Sequence, residues 1–90
     1  MPKLKIPTPL RPYASGESTI VLPGETVADL IDALVERHPE LKKHLIASDG
    51  QLRPFVNIFL REDNINQLQG LETALAEEDT VLIIPSIAGG

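Results

Sequence analysis

The sequence predicts an α+β domain in which a mixed sheet of four to five strands carries one main helix across one face. Three observations lead to this prediction. The chain has 90 residues, 42% apolar and 23% charged, a balance typical of one small globular domain. Residues 27–35 show helical spacing of apolar positions. Alternating or β-branched runs typical of strands lie on both sides of that stretch.

The first strands form the opening of the domain. Residues 3–6 alternate polar and apolar side chains, as a half-buried strand does. Three prolines between positions 7 and 12 are expected to stop this strand and hold an extended loop. Residues 14–17 have the composition of a turn, and residues 18–22 predict a second strand. The two strands are therefore expected to pair as a hairpin.

The main helix has recognisable signals at both ends. Thr26 is a candidate N-cap, and Asp29 follows three residues later, as in a capping box. Pro39 disfavours helical geometry at His38, so the helix is expected to stop there. Pro39 itself suits the first position of a short second turn toward Leu45. The apolar stripe consists of Val27, Leu30, Ile31, Leu34 and Val35.

The second half of the chain returns to strands. Residues 55–60 predict the strongest strand, followed by a tight turn at 61–64 and a short strand around Ile65. Residues 71–75 predict a brief helical turn. Residues 80–84 are β-branched and aliphatic, as expected of a strand buried on both faces.

The order of these elements predicts the topology. A right-handed crossover through the helix places the last strand beside the first, in parallel. This is the β-grasp arrangement. We expect residues 1–85 to form the domain, with Pro85 ending the last strand, and residues 86–90 to form a flexible C-terminal tail.

Composition excludes several classes of function. The net charge is −5 and the chain lacks cysteine, which disfavours nucleic acid as a partner and removes thiolate catalysis and zinc–thiolate sites. An acidic surface instead fits a basic docking face on another protein. No apolar run is long enough to span a bilayer, and the N-terminus lacks a signal-peptide block. We therefore expect a cytoplasmic protein without a membrane, metal or bound cofactor.

The chain ends in Gly89-Gly90, directly after the last predicted strand. The terminal carboxylate of Gly90 is the candidate reactive group. A carboxylate acylates only after its oxygen becomes a leaving group, and the chain has no P-loop glycine motif to bind ATP for this step. A partner must therefore activate it. Glycine suits a narrow channel in that partner because it has no Cβ, and contacts from Ile87, Leu82 and Ile84 would offset the entropy of ordering the tail.

Three segments carry a family resemblance. Ile84-Pro85-Ser86-Ile87-Ala88-Gly89-Gly90 resembles the C-terminal signature of ubiquitin-like sulfur-carrier proteins, the thiamine and molybdopterin carrier group. Residues 6–12 and residues 55–60 are similar to other parts of the same family. Within it, the likeness is closest to the mycobacterial-type carrier that supplies sulfur for cysteine biosynthesis.

The resemblance implies a protein co-substrate that is not itself an enzyme. A ubiquitin-activating-type enzyme would consume ATP to adenylate Gly90, and a sulfur donor would then leave a Gly90 thiocarboxylate. Gly89 would be functional, and Ala88 and Ile87 would contact the channel. The sulfide acceptor would be a pyridoxal-phosphate-dependent cysteine synthase holding an activated serine, with a metalloprotease trimming the product. The alternative acceptor is the large subunit of molybdopterin synthase.

Two rival functions belong to other classes. A ubiquitin-like modifier would join Gly90 to a lysine of a target protein through an isopeptide bond, starting from the same adenylate. A plain interaction domain would use its sheet face and would tolerate loss of Gly89 and Gly90. The nucleophile that accepts Gly90 separates the first rival from a sulfur carrier.

The remaining polar residues are expected to be structural or solvated. His38 and His44 are predicted to be exposed residues near helix ends and not metal ligands. The acidic run at residues 77–79 predicts a solvated turn, with a docking patch as the alternative. Arg11 and Arg53 are predicted to be salt-bridged or solvated, with contact to a partner as the alternative.

Overall fold

A computed structural model describes residues 1–85 of the chain. These residues form one mixed five-stranded sheet in the order β2-β1-β5-β3-β4. The strands are β1 (Lys3–Lys5), β2 (Thr19–Val21), β3 (Val56–Leu60), β4 (Asp63–Asn64) and β5 (Thr80–Pro85). The helices are α1 (Val27–Arg37) and α2 (Lys42–Leu45). The predicted tail, residues 86–90, lies outside the described residues.

The topology confirms the predicted β-grasp arrangement. β1 pairs with β2 antiparallel and with β5 parallel, so the last strand lies beside the first in the same direction. β3 pairs antiparallel with both β5 and β4. The hairpin and the helical crossover therefore stand where the sequence predicts them.

One face of the sheet carries the core. Leu4 pairs with Ile20 on one side and with Val81 on the other, and Ile58 pairs with Ile83 in the other half of the sheet. All five side chains are buried in one cluster with the apolar stripe of α1. Alternation along the strands turns the intervening residues to the opposite face. We call this opposite face of the sheet the open face.

Helix α1 begins and ends at the predicted residues. The Thr26 hydroxyl oxygen accepts a hydrogen bond of 3.2 Å from the backbone N–H of Asp29. The Asp29 carboxylate in turn accepts one of 3.2 Å from the N–H of Glu25, one residue before the cap. At the other end the N–H of His38 donates to the Leu34 carbonyl at 2.8 Å, and Pro39 opens a 3₁₀ turn that leads into α2.

Replacing Thr26 by alanine is expected to lower the free energy of unfolding by about 1 kcal/mol, because the N–H of Asp29 loses its acceptor. Thr26→Ser retains the hydroxyl and is the matched control. Urea denaturation measures both variants. Equal destabilisation by serine and alanine would show that the hydroxyl does not cap the helix.

The prediction that the last strand is buried on both faces is wrong. Val81 and Ile83 are buried, whereas Leu82 is half-buried and Ile84 is 41% exposed. Within residues 1–85 no helix covers the open face, so β5 buries only alternate side chains. The strand also includes Pro85, which faces Val56 in β3.

The segment between β1 and β2 also differs from its prediction. Residues 7–12 were expected to be an extended loop, but Thr8–Ala14 form a 3₁₀ helix. The fixed φ of proline is compatible with 3₁₀ geometry, and Leu10 and Ala14 are buried against the core. Burial of these side chains thus selects a compact conformation over an extended one.

Two short elements are shifted. The strand predicted around Ile65 is β4, two residues earlier, and Ile65 itself is buried in a 3₁₀ turn at Ile65–Gln67. The helical turn predicted at residues 71–75 is a 3₁₀ turn at Gly70–Glu72. It ends before Ala74, because the backbone there forms a β-bridge with Thr26.

Candidate functional site

The predicted reactive residues follow directly from β5. Gly90, Gly89, Ala88 and Ile87 lie outside the described residues, and the structure describes the place from which they continue. That place is Pro85, at the C-terminal end of β5. The C-terminal end of β1 and the N-terminal end of β3 meet there, because β5 runs parallel to β1 and antiparallel to β3. This edge of the sheet is called the tail-bearing end.

A fixed arginine flanks the tail-bearing end on the β1 side. The Arg11 Nε donates a hydrogen bond of 3.0 Å to the Ile6 carbonyl, just beyond β1. Arg11 and Lys5 line a groove of about 350 Å³ together with Leu82 and Ile84. Within residues 1–85 Arg11 forms no ion pair. Its guanidinium is therefore available to a group outside the domain.

A second arginine lies on the β3 side. The Arg53 Nε donates a hydrogen bond of 2.7 Å to the Lys43 carbonyl in α2. Arg53, Lys42 and Lys43 line a groove of about 580 Å³. The salt bridges considered for Arg11 and Arg53 are absent from the described part of the chain. Each arginine instead binds a backbone carbonyl.

The open face carries an apolar patch beside these cations. Leu82 lies between Lys5 and Phe59 in the register of the sheet. Ile84 is 41% exposed and Val21 is 46% exposed. We call Leu82, Ile84 and Phe59 the apolar patch. Apolar surface of this kind next to a charged rim is typical of protein–protein contact sites.

The prediction that both histidines are exposed is wrong. The His38 side chain is only 10% exposed, and its Nε2 lies 3.2 Å from a carboxylate oxygen of Glu17, which also meets Arg37 at 3.6 Å. The His44 ring stacks on Tyr13 with centroids 4.1 Å apart, and its buried Nε2 has no hydrogen-bond partner among residues 1–85. The 3₁₀ helix Thr8–Ala14 contacts the 3₁₀ turn Pro39–Leu41, and its Tyr13 ring covers the His44 ring. Residues 1–85 contain no cluster of three or more potential metal ligands.

The acidic run is only partly solvated. Glu77 and Glu78 are exposed as predicted, but Asp79 is buried. The Asp79 carboxylate accepts hydrogen bonds from the N–H of Ala76 at 2.8 Å and from the Arg61 guanidinium at 3.0 Å. It therefore has a structural role, at the end of the sheet opposite to the tail-bearing end.

Sequence reasoning missed the position of Arg11. A signal was present in the spacing of the residues. Leu10 and Tyr13 are three residues apart, and both pack against the core. Spacing by three is typical of a 3₁₀ helix.

We also find that none of the helices within residues 1–85 has the length and apolar character needed to cross a membrane.

Comparison with known proteins gives the family of this chain. The model of the ThiS family matches residues 4–90. The sulfur carrier protein CysO of Mycobacterium tuberculosis (strain ATCC 25618 / H37Rv) is 35% identical over 89 residues, covering 97% of this chain and 96% of that protein.

Solved structures agree with the family match. A chain in the crystal structure of the Amycolatopsis orientalis BexX/CysO complex superposes with a TM-score of 0.90 at 32% identity, covering 100% of both chains. The solution structure of the small archaeal modifier protein 1 from Methanosarcina acetivorans gives a TM-score of 0.89 at 33% identity, covering 99% of this chain and 95% of that chain. The β-grasp domain described above, with its sequence continuing to a terminal diglycine, therefore belongs to the ThiS family.

Proposed function

We propose that this chain is a sulfur carrier whose Gly90 carboxylate becomes a thiocarboxylate on a partner enzyme. The observation that supports the proposal most strongly is that the family match extends through Gly90, the last residue. A relative that is 35% identical over nearly its whole length is a sulfur carrier protein. In this function the domain is a co-substrate and not a catalyst.

The chemistry has two steps at Gly90. A carboxylate oxygen attacks the α-phosphorus of ATP, pyrophosphate leaves, and an acyl adenylate forms. A sulfide equivalent then attacks the carbonyl carbon, and AMP leaves with the carboxylate oxygen that bonded to phosphorus. The product is a thiocarboxylate with nucleophilic sulfur. ATP is consumed by the partner, because the sequence has no phosphate-binding glycine loop of the P-loop kind.

The sulfur acceptor is proposed by analogy with the relatives. Because the relatives include CysO, we favour cysteine biosynthesis, in which a pyridoxal-phosphate enzyme holds an activated serine. The thiocarboxylate sulfur displaces the activated oxygen of serine and forms a thioester. The Gly90 acyl group then shifts from sulfur to the amino nitrogen, and a metalloprotease hydrolyses this amide to release the new cysteine. Delivery to the large subunit of molybdopterin synthase is the alternative within the same chemistry.

The apolar patch supports binding to such partners. Leu82, Ile84 and Phe59 lie on the open face, and β5 leads from this face directly toward Gly90. Burial of a side chain of this size stabilises a complex by roughly 1.5–3 kcal/mol. A partner that covers the patch therefore acquires the affinity needed to hold the residues that follow β5 in a channel.

A second candidate function is protein modification. The likeness to a small archaeal modifier protein, at a TM-score of 0.89 and 33% identity, favours it as the rival. In that case a lysine amine of a target protein attacks the Gly90 adenylate, AMP leaves, and an isopeptide bond forms. The first step is shared, so only the second nucleophile separates the two functions.

Intact-mass measurement tests the proposal. The chain is incubated with ATP, a sulfide source and the adenylating enzyme encoded in the same genome. The expected product has one oxygen exchanged for one sulfur, and it is absent when ATP is omitted. Conjugates of higher mass on denaturing gels would instead support the modifier. An unchanged mass with no conjugates would overturn both functions.

A further inference from the structure

Acidic and basic side chains are concentrated at opposite ends of the sheet, as measured along its strands. The end opposite to the tail-bearing end contains the start of β5 and the β3–β4 turn, and the N-terminus of α1 lies there because β2 runs antiparallel to β1. This region is predominantly acidic, and its cations are Lys3 and Arg61, of which Arg61 is paired with Asp79. Its exposed carboxylates are Glu25, Asp29, Glu62, Asp63, Glu77 and Glu78.

The tail-bearing end carries the opposite charge. Lys5 and Arg11 flank β5 from the β1 side. On the other side, the Arg53 carbonyl accepts a hydrogen bond of 3.0 Å from the N–H of Val56, the residue that faces Pro85. The cations there are Lys5, Arg11, Lys42, Lys43 and Arg53, and we call them the positive pole. They are five of the eight Lys and Arg residues in a chain whose net charge is −5.

The cations of the positive pole are not neutralised within the domain. Arg37 and Arg61 form ion pairs with Glu17 and Asp79, whereas no member of the positive pole has an ion pair within residues 1–85. Arg11 is also held in place, because its Nε is bound to the Ile6 carbonyl. A guanidinium fixed in this way loses little side-chain entropy when it binds a carboxylate.

Four carboxylates near this end reduce its positive charge. Glu17 meets Arg37 and His38, and Glu72 lines a second groove together with Arg53. Glu40 and Asp49 are exposed on the segments around α2. The Asp49 side chain accepts a hydrogen bond of 3.0 Å from the N–H of Gln51 and is thus engaged within its own turn. Neither residue lines the groove that contains Arg11 and Lys5. That groove combines two cations with Leu82 and Ile84 of the apolar patch, and none of the four carboxylates lines it.

We propose that the positive pole docks on a carboxylate-lined entrance of the adenylating enzyme, with Arg11 and Lys5 as the principal contacts. The inference rests on the proposed function, because it concerns the partner that takes up Gly90. Opposite charges steer association and fix orientation. The acidic end of the domain is repelled from such an entrance, so the carrier approaches with the tail-bearing end first. The basic docking face expected from net charge alone does not suit this end of the molecule.

Charge variants at the two ends of the domain test the inference. The double variant Lys5→Glu/Arg11→Glu reverses the positive pole beside β5. Adding Glu77→Lys and Glu78→Lys at the opposite end restores the net charge to −5. Pyrophosphate exchange by the adenylating enzyme gives kcat/KM for each carrier at low salt and at about 0.3 M salt. Thermal unfolding checks that each variant is folded, and Lys5→Glu alone retains the Arg11–Ile6 hydrogen bond.

The expected result is a loss of kcat/KM of about tenfold or more for the double variant at low salt, with a weaker salt dependence than in the wild type. The variant with all four substitutions is expected to show the same loss of kcat/KM. Lys5→Glu alone is expected to show a smaller loss. Recovery in the four-fold variant would assign the effect to net charge and overturn the inference. Wild-type kcat/KM in the folded variants would overturn it as well. Absence of exchange with the wild type would overturn the proposed function and the inference together.

Discussion

Gly90→Ala is expected to reduce adenylation by the partner by at least about a hundredfold while leaving the domain folded. The Cα next to the reacting carbonyl then carries a methyl group. A partner site that accepts glycine because glycine lacks a side chain must move to admit this methyl group. Pyrophosphate exchange and intact mass measure the loss. The free energy of unfolding should change by less than about 0.5 kcal/mol, because the core of the described domain extends from Leu4 to Ile83.

Deletion of Gly89 and Gly90 together is the second arm of this experiment. It should abolish thiocarboxylate formation entirely, again with an unchanged unfolding midpoint. Gln67→Ala, an exposed substitution in the 3₁₀ turn after β4, is the matched control and should leave both properties unaltered. A truncated chain that still supports sulfide transfer would refute a role for the diglycine and favour the plain interaction domain.

The largest effect on stability is expected from Leu34→Ala. Leu34 is fully buried in the middle of the core, on the face of α1 that packs on the sheet. Removing three side-chain carbons deletes packing and leaves a cavity, which costs roughly 2–5 kcal/mol. For a domain of ordinary stability this is a large fraction of the total. Urea denaturation followed by circular dichroism measures the shift in midpoint.

Glu36→Ala separates burial from helix content. Glu36 is exposed on the same helix, two residues from Leu34. Its substitution should change the free energy of unfolding by less than about 0.5 kcal/mol. Leu34→Met preserves most of the side-chain volume and should cost less than about 1.5 kcal/mol. A Leu34→Ala variant as stable as Glu36→Ala would mean that α1 is not packed on the sheet as described.

The fold was predictable where short-range chemistry determines it. Thr26 sets the start of α1 through a capping hydrogen bond, and Pro39 sets its end through a steric restriction. Both effects act within four residues. The handedness of crossovers then limits where β5 can pair. These signals predicted the hairpin of β1 with β2 and the parallel pairing of β1 with β5, although β4 and the adjoining turns shifted by one or two residues.

The errors come from contacts between residues distant in sequence. A β-branched run such as residues 80–84 fits a strand buried on one face as well as on two, and only the number of covering layers decides. Burial of His44 depends on Tyr13, thirty-one positions earlier. Asp79 is buried because Arg61 and a backbone N–H supply its hydrogen bonds. No local pattern contains this information.

The reactive residue predicted from the sequence, Gly90, lies outside the described residues and stays a prediction, whereas the surroundings of β5 were not predicted. A diglycine after an apolar strand indicates an acyl group for activation. The positive pole could not be derived from the net charge of −5, because it depends on the 3₁₀ conformation that brings Arg11 to the end of β1. Charge distribution in a folded domain follows topology and not composition.

The parallel pairing of β1 with β5 has a practical consequence for handling this carrier. Lys3 faces Thr80 at one margin of the sheet, while Pro85 lies at the other. A dye, biotin or reporter protein fused ahead of Lys3 is therefore attached at the margin opposite to Pro85. Immobilisation through such a fusion is expected to leave the tail-bearing end of the sheet toward the solution on a sensor surface.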